Sequence, residues 1–531
     1  MKFSSLIKKF PFLKRQNVAE ATILMASFLF LSKVIGYFRE VLVAKYFGAS
    51  SQTDAFLVAL IIPSSIMGII STGLSTLIIP IYIEKKKKNP EKAKIFVNQI
   101  FLLWSIILLV LSFLIFIFAP FLVKLIAFGF QGQRLDLAIL LTRYLTPIGF
   151  ATVLTGLFIG LFRAERQFLY PTIISIIGNV LVVSCLILFH SLLGINSWTL
   201  GRLLYAGFTF FALFWVLWKK KNLFQKFSPR YVNWLEIKEF FFLLFPLILT
   251  SSIATLHQIV DKTIASFLPV GAIAVLNFAQ RTYTIPLSLL ALPLSFAIYP
   301  TFSSLALEKE KRVDYSKTLQ KALCLSWYII IPCSILFIAL SQPIVKFLFQ
   351  RGAFTIQDTV RTSLTVSLYS LGLFAHAANY FLNKAFYSFK NTKTPLIISS
   401  IIVGINIIAS ILLSRILGVA GIALATSISS FIGFVLSLAV LHKKYFKFSA
   451  RRPLAFQAIK TIIACIPLTI LSFIFKPYLS AHLKFLLLLP RFILVGIILT
   501  LVYLFLSYLL NLEGYRIIIE YLKKTLSKYK K

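Results

Sequence analysis

Residues 31–80 read LSKVIGYFREVLVAKYFGASSQTDAFLVALIIPSSIMGIISTGLSTLIIP. Two apolar spans meet at the short turn GASSQ, yet Lys33, Arg39, Glu40 and Asp54 lie at or near the depth of a bilayer. An ionised side chain in hydrocarbon costs about 2.5–3.5 kcal/mol on insertion scales, and more in simulations. Lys33 or Glu40 alone reads equally well as an interfacial group whose head reaches water. Four charges in one hairpin point instead to an internal polar cavity.

The composition extends this reading to the whole chain. Of 531 residues 59% are hydrophobic and only 16 are acidic, which defines a polytopic membrane protein and leaves no room for a soluble domain. The first 20 residues, MKFSSLIKKFPFLKRQNVAE, are basic and broken by Pro11. Lacking an apolar core and a small-residue cleavage site, 1–20 is expected to be a cytoplasmic interfacial helix rather than a cleaved signal. Cys185, Cys324, Cys333 and Cys465 all lie in apolar runs without metal spacing, so free buried thiols are expected.

Apolar windows long enough to cross a bilayer fall near 21–46, 53–83, 95–119, 137–162, 170–191, 197–218, 238–267, 272–303, 319–345, 359–388, 395–417, 419–441, 455–475 and 485–511. The expected fold is therefore all-α with fourteen transmembrane helices. With the N-terminus inside, cytoplasmic loops and adjoining helix ends carry 39 Lys and Arg against 10 on the opposite side. That bias places both termini in the cytoplasm and accounts for most of the net charge of +39. The cations have no aromatic interleaving and form no binding motif, so a nucleic-acid partner is excluded.

The chain also repeats itself. IIP ending at Pro63 recurs as TIP at Pro286, IIPIY around Pro80 as IYPTF around Pro300, and GLFRAERQFLYPTIISIIGN around Pro171 as KAFYSFKNTKTPLIISSIIVGIN around Pro395. The offsets are 223, 220 and 224 residues. Two homologous six-helix lobes follow, 21–218 and 238–441, joined by a cytoplasmic linker at 219–237. Spans thirteen and fourteen (442–511) and a basic cytoplasmic tail (512–531) stand outside the repeat. Two like-oriented lobes facing a central cavity is an arrangement that alternating access uses.

Charge occupies comparable places in both lobes: Arg39 and Asp54 in the first, Asp261, Lys262 and Arg281 in the second. Gly36, Pro63 and Pro286 interrupt these spans and free backbone groups that neighbours or cavity water must satisfy. If Arg39 and Arg281 both face the cleft, their forked guanidinium donors suit a phosphate-bearing substrate. The competing reading pairs Arg39 with Glu40 or Asp54 as lobe scaffolding. Asn379 and Asn383 share a helix face, and Ser399 lies in the next span. With Asp261 they offer the hard oxygen set that suits Na⁺, although interhelical asparagine bonding explains the same pattern. His257 and His376 read as satisfied core or cavity residues rather than proton relays.

SKVIGYFREVLVAKYFGASSQTDAFLVA resembles the first hairpin of the MurJ lipid II flippases, the MviN branch of the MOP exporter superfamily. VDKTIASFLPVGAIAVLNFAQRTYTIPLSLLALPLSFAIYPTFSSLA, RGAFTIQDT and FYSFKNTKTP resemble its second-half signatures, and the likeness covers essentially the whole chain. The resemblance implies two six-helix lobes in a V, with the last two helices forming a groove for the lipid tail. It implies export of lipid-linked peptidoglycan precursor across a bacterial inner membrane. By the same resemblance Arg39 and Arg281 contact the pyrophosphate, with Lys33, Glu40 and Asp54 as further substrate-site residues. Asp261, Asn379, Asn383, Ser399 and the carbonyl of Pro395 match the family's sodium site. This chain departs from the family pattern at Met67, where an arginine is usual, and at Thr72, where an acid is common. It departs again at Lys33 for arginine, Gln280 for aspartate and Asn383 for a carboxylate.

The reading is a lipid II flippase that is not an enzyme and acts as a monomer among membrane lipids. It carries no cofactor other than a possible Na⁺ coupling ion. Three alternatives stand beside it: a flippase for another polyprenyl-pyrophosphate-linked oligosaccharide, a MOP-type exporter of cationic drugs, and a membrane enzyme of glycan assembly. Cations in the cavity disfavour the exporter. Short outward loops with few acids, Asp136 and Asp358 among them, disfavour the enzyme.

Overall fold

The computed structural model describes residues 18–221, 223, 234–446, 454–480 and 485–529. The interfacial helix expected at 1–20 lies almost wholly outside these residues, as do most of the 219–237 linker and the loop basic residues Arg451 and Arg452. Every described element is helical.

The first six helices are α1 (Val18–Phe47), α2 (Ser51–Lys88), α3 (Pro90–Ile126), α4 (Gly132–Ala164), α5 (Leu169–Leu193) and α6 (Asn196–Lys221). The next six windows fall on α7 (Trp234–Ser266), α8 (Ala272–Ala306), α9 (Arg312–Ala339) with the short α10 (Ser341–Phe349), α11 (Ile356–Leu371) with α12 (Leu373–Ser388), α13 (Lys393–Leu417) and α14 (Val419–Lys444). The chain closes with α15 (Leu454–Leu479), α16 (Phe485–Leu509) and the amphipathic α17 (Glu513–Tyr529). Among the described residues, 11 helices are long and apolar enough to cross a membrane. The three windows outside that set are α1, α7 and the pair α11–α12. That pair breaks at Gly372, whose backbone N–H donates to Ser427 Oγ at 3.1 Å.

Local chemistry sets the helix ends. Ser50 caps α2, accepting from Thr53 N at 3.4 Å. Asn89 caps α3 ahead of Pro90, where a missing N–H costs nothing. Thr355 and Asp358 form a capping box at α11. Inside α2 the helix widens to a π-turn over Ile61–Ile66 at Pro63, and inside α8 over Leu287–Ala291 just after Pro286. The prolines that the repeat aligns therefore do the same thing in both halves.

The chain divides into two compact units, 1–259 and 260–531. In the first, α2 and α4 pack closely because α4 presents Gly156 and Gly160. A Cβ at either glycine would come within 2.7 Å of the Ser71 or Ser75 carbonyl oxygen of α2. The N-terminal part of α7 belongs to this unit: Phe240 packs edge-on to Phe96, Phe241 stacks on Trp104, and Lys85 pairs with Glu236 at 2.5 Å. The packing boundary thus falls inside α7, beyond the linker expected at 219–237.

In the second unit a core around α9 gathers Trp327, Tyr328 and Ile331 with Phe381 and Phe386 of α12, Phe434 of α14, Cys465 and Leu468 of α15, and Tyr503 of α16. The Tyr503 hydroxyl donates to the Tyr328 carbonyl at 2.7 Å, so the last two long helices are docked on α9. Gly514 at the start of α17 sits against the Tyr328 ring.

The backbone carries the repeat independently of side chains. Positive φ recurs at Gly48 and Gly271, Gly132 and Gly352, Arg166 and Lys390, and Gly194 and Gly418. These pairs are 223, 220, 224 and 224 residues apart, reproducing the offsets of the sequence landmarks. Gly194 and Gly418 even share φ and ψ (51°, −131° and 57°, −135°), a conformation that only glycine adopts without strain.

Candidate functional site

In the first unit the charges of the opening hairpin separate into two places. Arg39, on α1, donates through Nη2 to Glu40 Oε1 at 2.8 Å and through Nη1 to Asn179 Oδ1 of α5 at 3.3 Å. Glu40 is 3% exposed, so this pair is largely shielded from water. The Asn179 amide is itself oriented by donating to the Ser175 carbonyl at 3.0 Å. Among the described residues, Arg39 Nε is buried without a hydrogen-bond partner. The guanidinium is therefore held in place with donor capacity left over.

Asp54 is not part of that cluster. It is fully buried and pairs with Arg134 of α4, Nη2 to Oδ2 at 2.6 Å, while the Arg134 guanidinium lies 3.8 Å from the Phe130 ring centroid. Neither Arg134 nor Asn179 was among the candidates from sequence. Arg134 reads there as an outward-loop cation, and nothing local ties it to an acid 80 positions away. Lys33 is exposed on α1. Arg202 of α6 approaches the α2 π-turn, donating to Ser64 Oγ at 3.4 Å.

Met67, where the family pattern has an arginine, is 5% exposed and packs over Gly149 of α4. Its side chain fills the interior of the helix pair. Thr72 is exposed and bonds back to the Gly68 carbonyl at 2.9 Å.

In the second unit Asp261 is fully buried on α7. With its amide in the orientation that satisfies both ends, Asn406 of α13 donates to Asp261 Oδ1 at 3.2 Å and accepts from Thr426 of α14 at 3.2 Å. Tyr283 and Tyr369 stack nearby at 4.4 Å between centroids, and Gln280 donates to the Tyr369 hydroxyl at 3.1 Å. Arg281, one residue on, is exposed on α8. The His376 ring centroid lies 6.4 Å from that of Tyr283 and 5.5 Å from that of Tyr380.

Asn379 of α12 donates to the Ser430 carbonyl at 3.0 Å, beside Gly433 and Ile402. Ser399 lies about one turn before Ile402 on α13, and Asn406 about one turn after it. Asn383 and Ser399 are half-buried and Pro395 is buried. Asn379 Oδ1, the Asn383 amide and the Ser399 hydroxyl make no hydrogen bond among the described residues. Amide and hydroxyl oxygens of this kind belong to the hard donor set that a small cation takes. The same two-helix relation recurs in each half: a charge on the first helix meets an asparagine on the fifth, Arg39 with Asn179 and Asp261 with Asn406. Both asparagines stand in the IIGN and GIN ends of the repeated segments, and that was the available signal.

The second unit also holds an apolar cavity of about 870 Å³ bounded by α9, α14 and the first half of α15, with Trp327, Phe434 and Leu454 on its walls.

Two helical repeats with charge buried in each define a polytopic membrane protein, with a fold that the MOP superfamily shares. A MATE family multidrug resistance transporter of that superfamily, solved facing inward, matches 78% of this chain and 94% of its own at 16% identity with a TM-score of 0.65. The family model for lipid II flippase MurJ matches residues 43–490, and the chain belongs to that family. The probable lipid II flippase MurJ of Thermotoga maritima is 29% identical over 79% of this chain and 85% of the relative. A solved lipid II flippase MurJ in an inward-closed conformation is 27% identical, with a TM-score of 0.78 over 94% of this chain and 100% of that one.

Proposed function

We propose that the chain carries lipid II from the cytoplasmic to the outer leaflet of a bacterial inner membrane by alternating access. The observation that carries this reading is the MurJ family match over 43–490, which takes in the first repeat from the end of α1, the whole second repeat and α15, and ends in the first turns of α16. Arg39 then binds the pyrophosphate in the first unit. Its hold on Glu40 and Asn179 fixes the guanidinium and leaves further donors for a forked contact with phosphate oxygens. Arg281 is the corresponding cation of the second unit, exposed and so reachable by a ligand. Lys33 and Glu40 flank the first site, and Asp54, held by Arg134, is a further substrate-site acid of the first unit.

The polyprenyl tail stays apolar throughout, and the cavity beside α15 supports a tail path on that side of the second unit. Asp261, Asn379, Asn383, Ser399 and the Pro395 carbonyl would hold a sodium ion. Its charge couples the return step to the membrane potential at about 2.3 kcal/mol per 100 mV. Both termini lie in the cytoplasm, and the working unit is a monomer. The cycle moves a lipid without covalent chemistry.

Complementation of a bacterium conditionally depleted of its flippase tests the proposal, with outer-leaflet lipid II accessibility as readout. Wild type restores growth and lipid II exposure, whereas Arg39→Ala at equal membrane level does not. Good membrane expression without rescue by wild type overturns the lipid II assignment in favour of another lipid-linked glycan.

A further inference from the structure

We propose that Lys384, with Phe296, Tyr299 and Tyr387, forms a second phosphate-reading station for the lipid-linked substrate, separate from Arg281. The inference rests on the flippase reading above. The Lys384 ammonium lies 4.1 Å from the Phe296 ring centroid, 5.3 Å from Tyr299 and 5.8 Å from Tyr387. Two of these rings come from α8 and one from Lys384's own helix, α12. Among the described residues no carboxylate pairs with this lysine.

Aromatic faces attract an ammonium without neutralising it, so the N–H donors and the charge remain available. A lysine held by an acid would be scaffolding. One held by neutral rings keeps its charge for an anion that arrives from outside. An interfacial lysine that merely snorkels carries its head away from apolar surface into water. Here the head lies over a ring of the neighbouring helix instead. Phe296 and Tyr387 are 56% and 39% exposed, so the cluster is open on one side. A compact ammonium reads phosphate as a point charge, and the exposed rings beside it offer faces to a sugar or an isoprenoid chain. Phosphate joined to an apolar chain is the ligand chemistry the cluster fits.

Position along α8 separates the two cations. Arg281 and Phe296 are 15 residues apart, roughly 22 Å at the helical rise, far more than one pyrophosphate spans. Lys384 lies toward the end of α12 that runs into the basic connection Lys390–Lys393, and the rings toward the end of α8 that runs into Lys309–Arg312. By the charge bias of the loops this is the cytoplasmic end. Lys384 therefore meets the phosphate as it arrives, and Arg281 meets it later.

The test titrates the purified full chain with undecaprenyl pyrophosphate, undecaprenol and phosphatidylglycerol, reading bound lipid by native mass spectrometry. Wild type prefers the pyrophosphate over undecaprenol. Lys384→Gln weakens pyrophosphate binding about tenfold, the worth of one charge-assisted hydrogen bond, and Lys384→Arg retains it. Phosphatidylglycerol uptake is unchanged in both variants. Wild-type affinity in Lys384→Gln, with Arg39→Ala still impaired, overturns the station and leaves the flippase reading standing. Equal loss of phosphatidylglycerol reduces Lys384 to a general lipid contact and also overturns it. If wild type does not distinguish pyrophosphate from undecaprenol, the flippase reading falls and the station with it.

Discussion

The buried carboxylate of Asp54 survives in apolar surroundings because Arg134 lies 2.6 Å away, and each charge is tolerable only with the other. Removing one partner of such a pair costs about 3–5 kcal/mol, because the survivor is left uncompensated. Asp54→Asn and Arg134→Gln should therefore each lower the thermal stability of the purified chain, and the double variant should be no less stable than either. Additive losses would show that the two are not coupled. Asp54 was legible in the sequence as an acid at membrane depth. Its partner was not, because Arg134 sits where a loop cation is expected and the contact is made only by the packing of α4 on α2. Met67 shows the reverse case. The sequence reveals the missing arginine, and only the structure reveals the reason it is tolerated: the side chain is buried over Gly149, where an apolar group belongs.

At the level of helices, spacing was legible and closeness was not. The fourteen apolar windows fall on helices, yet the approach of α2 to α4 depends on two glycines one turn apart, Gly156 and Gly160, amid the many of an apolar chain. The contrast with Gly68 is testable. A Cβ at Gly156 meets the Ser71 backbone at 2.7 Å, whereas one at Gly68 meets nothing within 4 Å. Gly156→Ala should destabilise by about 1–3 kcal/mol through overpacking of one helix on the next. Gly68→Ala should be neutral or stabilising by up to about 1 kcal/mol, because alanine is the better helix former. Thermal unfolding of both variants in the same detergent decides it, and loss of equal size at the two sites would contradict the packing. The π-turns are a different matter. Proline at 63 and 286 announced an interruption, but whether the chain would kink, unwind or widen there depends on how neighbouring helices satisfy the freed groups.

Across the whole chain, backbone and chemistry have kept different amounts of the repeat. Four pairs of positive-φ residues hold the offset that the proline landmarks announced, so the turns between helices are shared by both halves. The Asp54–Arg134 pair is not shared. Asn277 stands 223 residues after Asp54, and Phe354 stands 220 after Arg134, so the buried pair of the first half has no ionic counterpart in the second. That asymmetry was readable once the offset was known, although the Asp54–Arg134 contact itself was not. The expected topology, one orientation for both halves with the side that carries 39 of the loop Lys and Arg in the cytoplasm, is open to test. Lys87, at the exposed end of α2, should then face the cytoplasm, and Gln133, at the exposed start of α4, the outside. In intact cells Gln133→Cys should react with a membrane-impermeant maleimide, and Lys87→Cys should react only after permeabilisation. The background should be low, because Cys185, Cys324 and Cys465 are buried and Cys333 is half-buried. Labelling in the opposite order would invert both halves together. It would also move the Lys384 end of α12 to the outer face, where the substrate leaves rather than arrives.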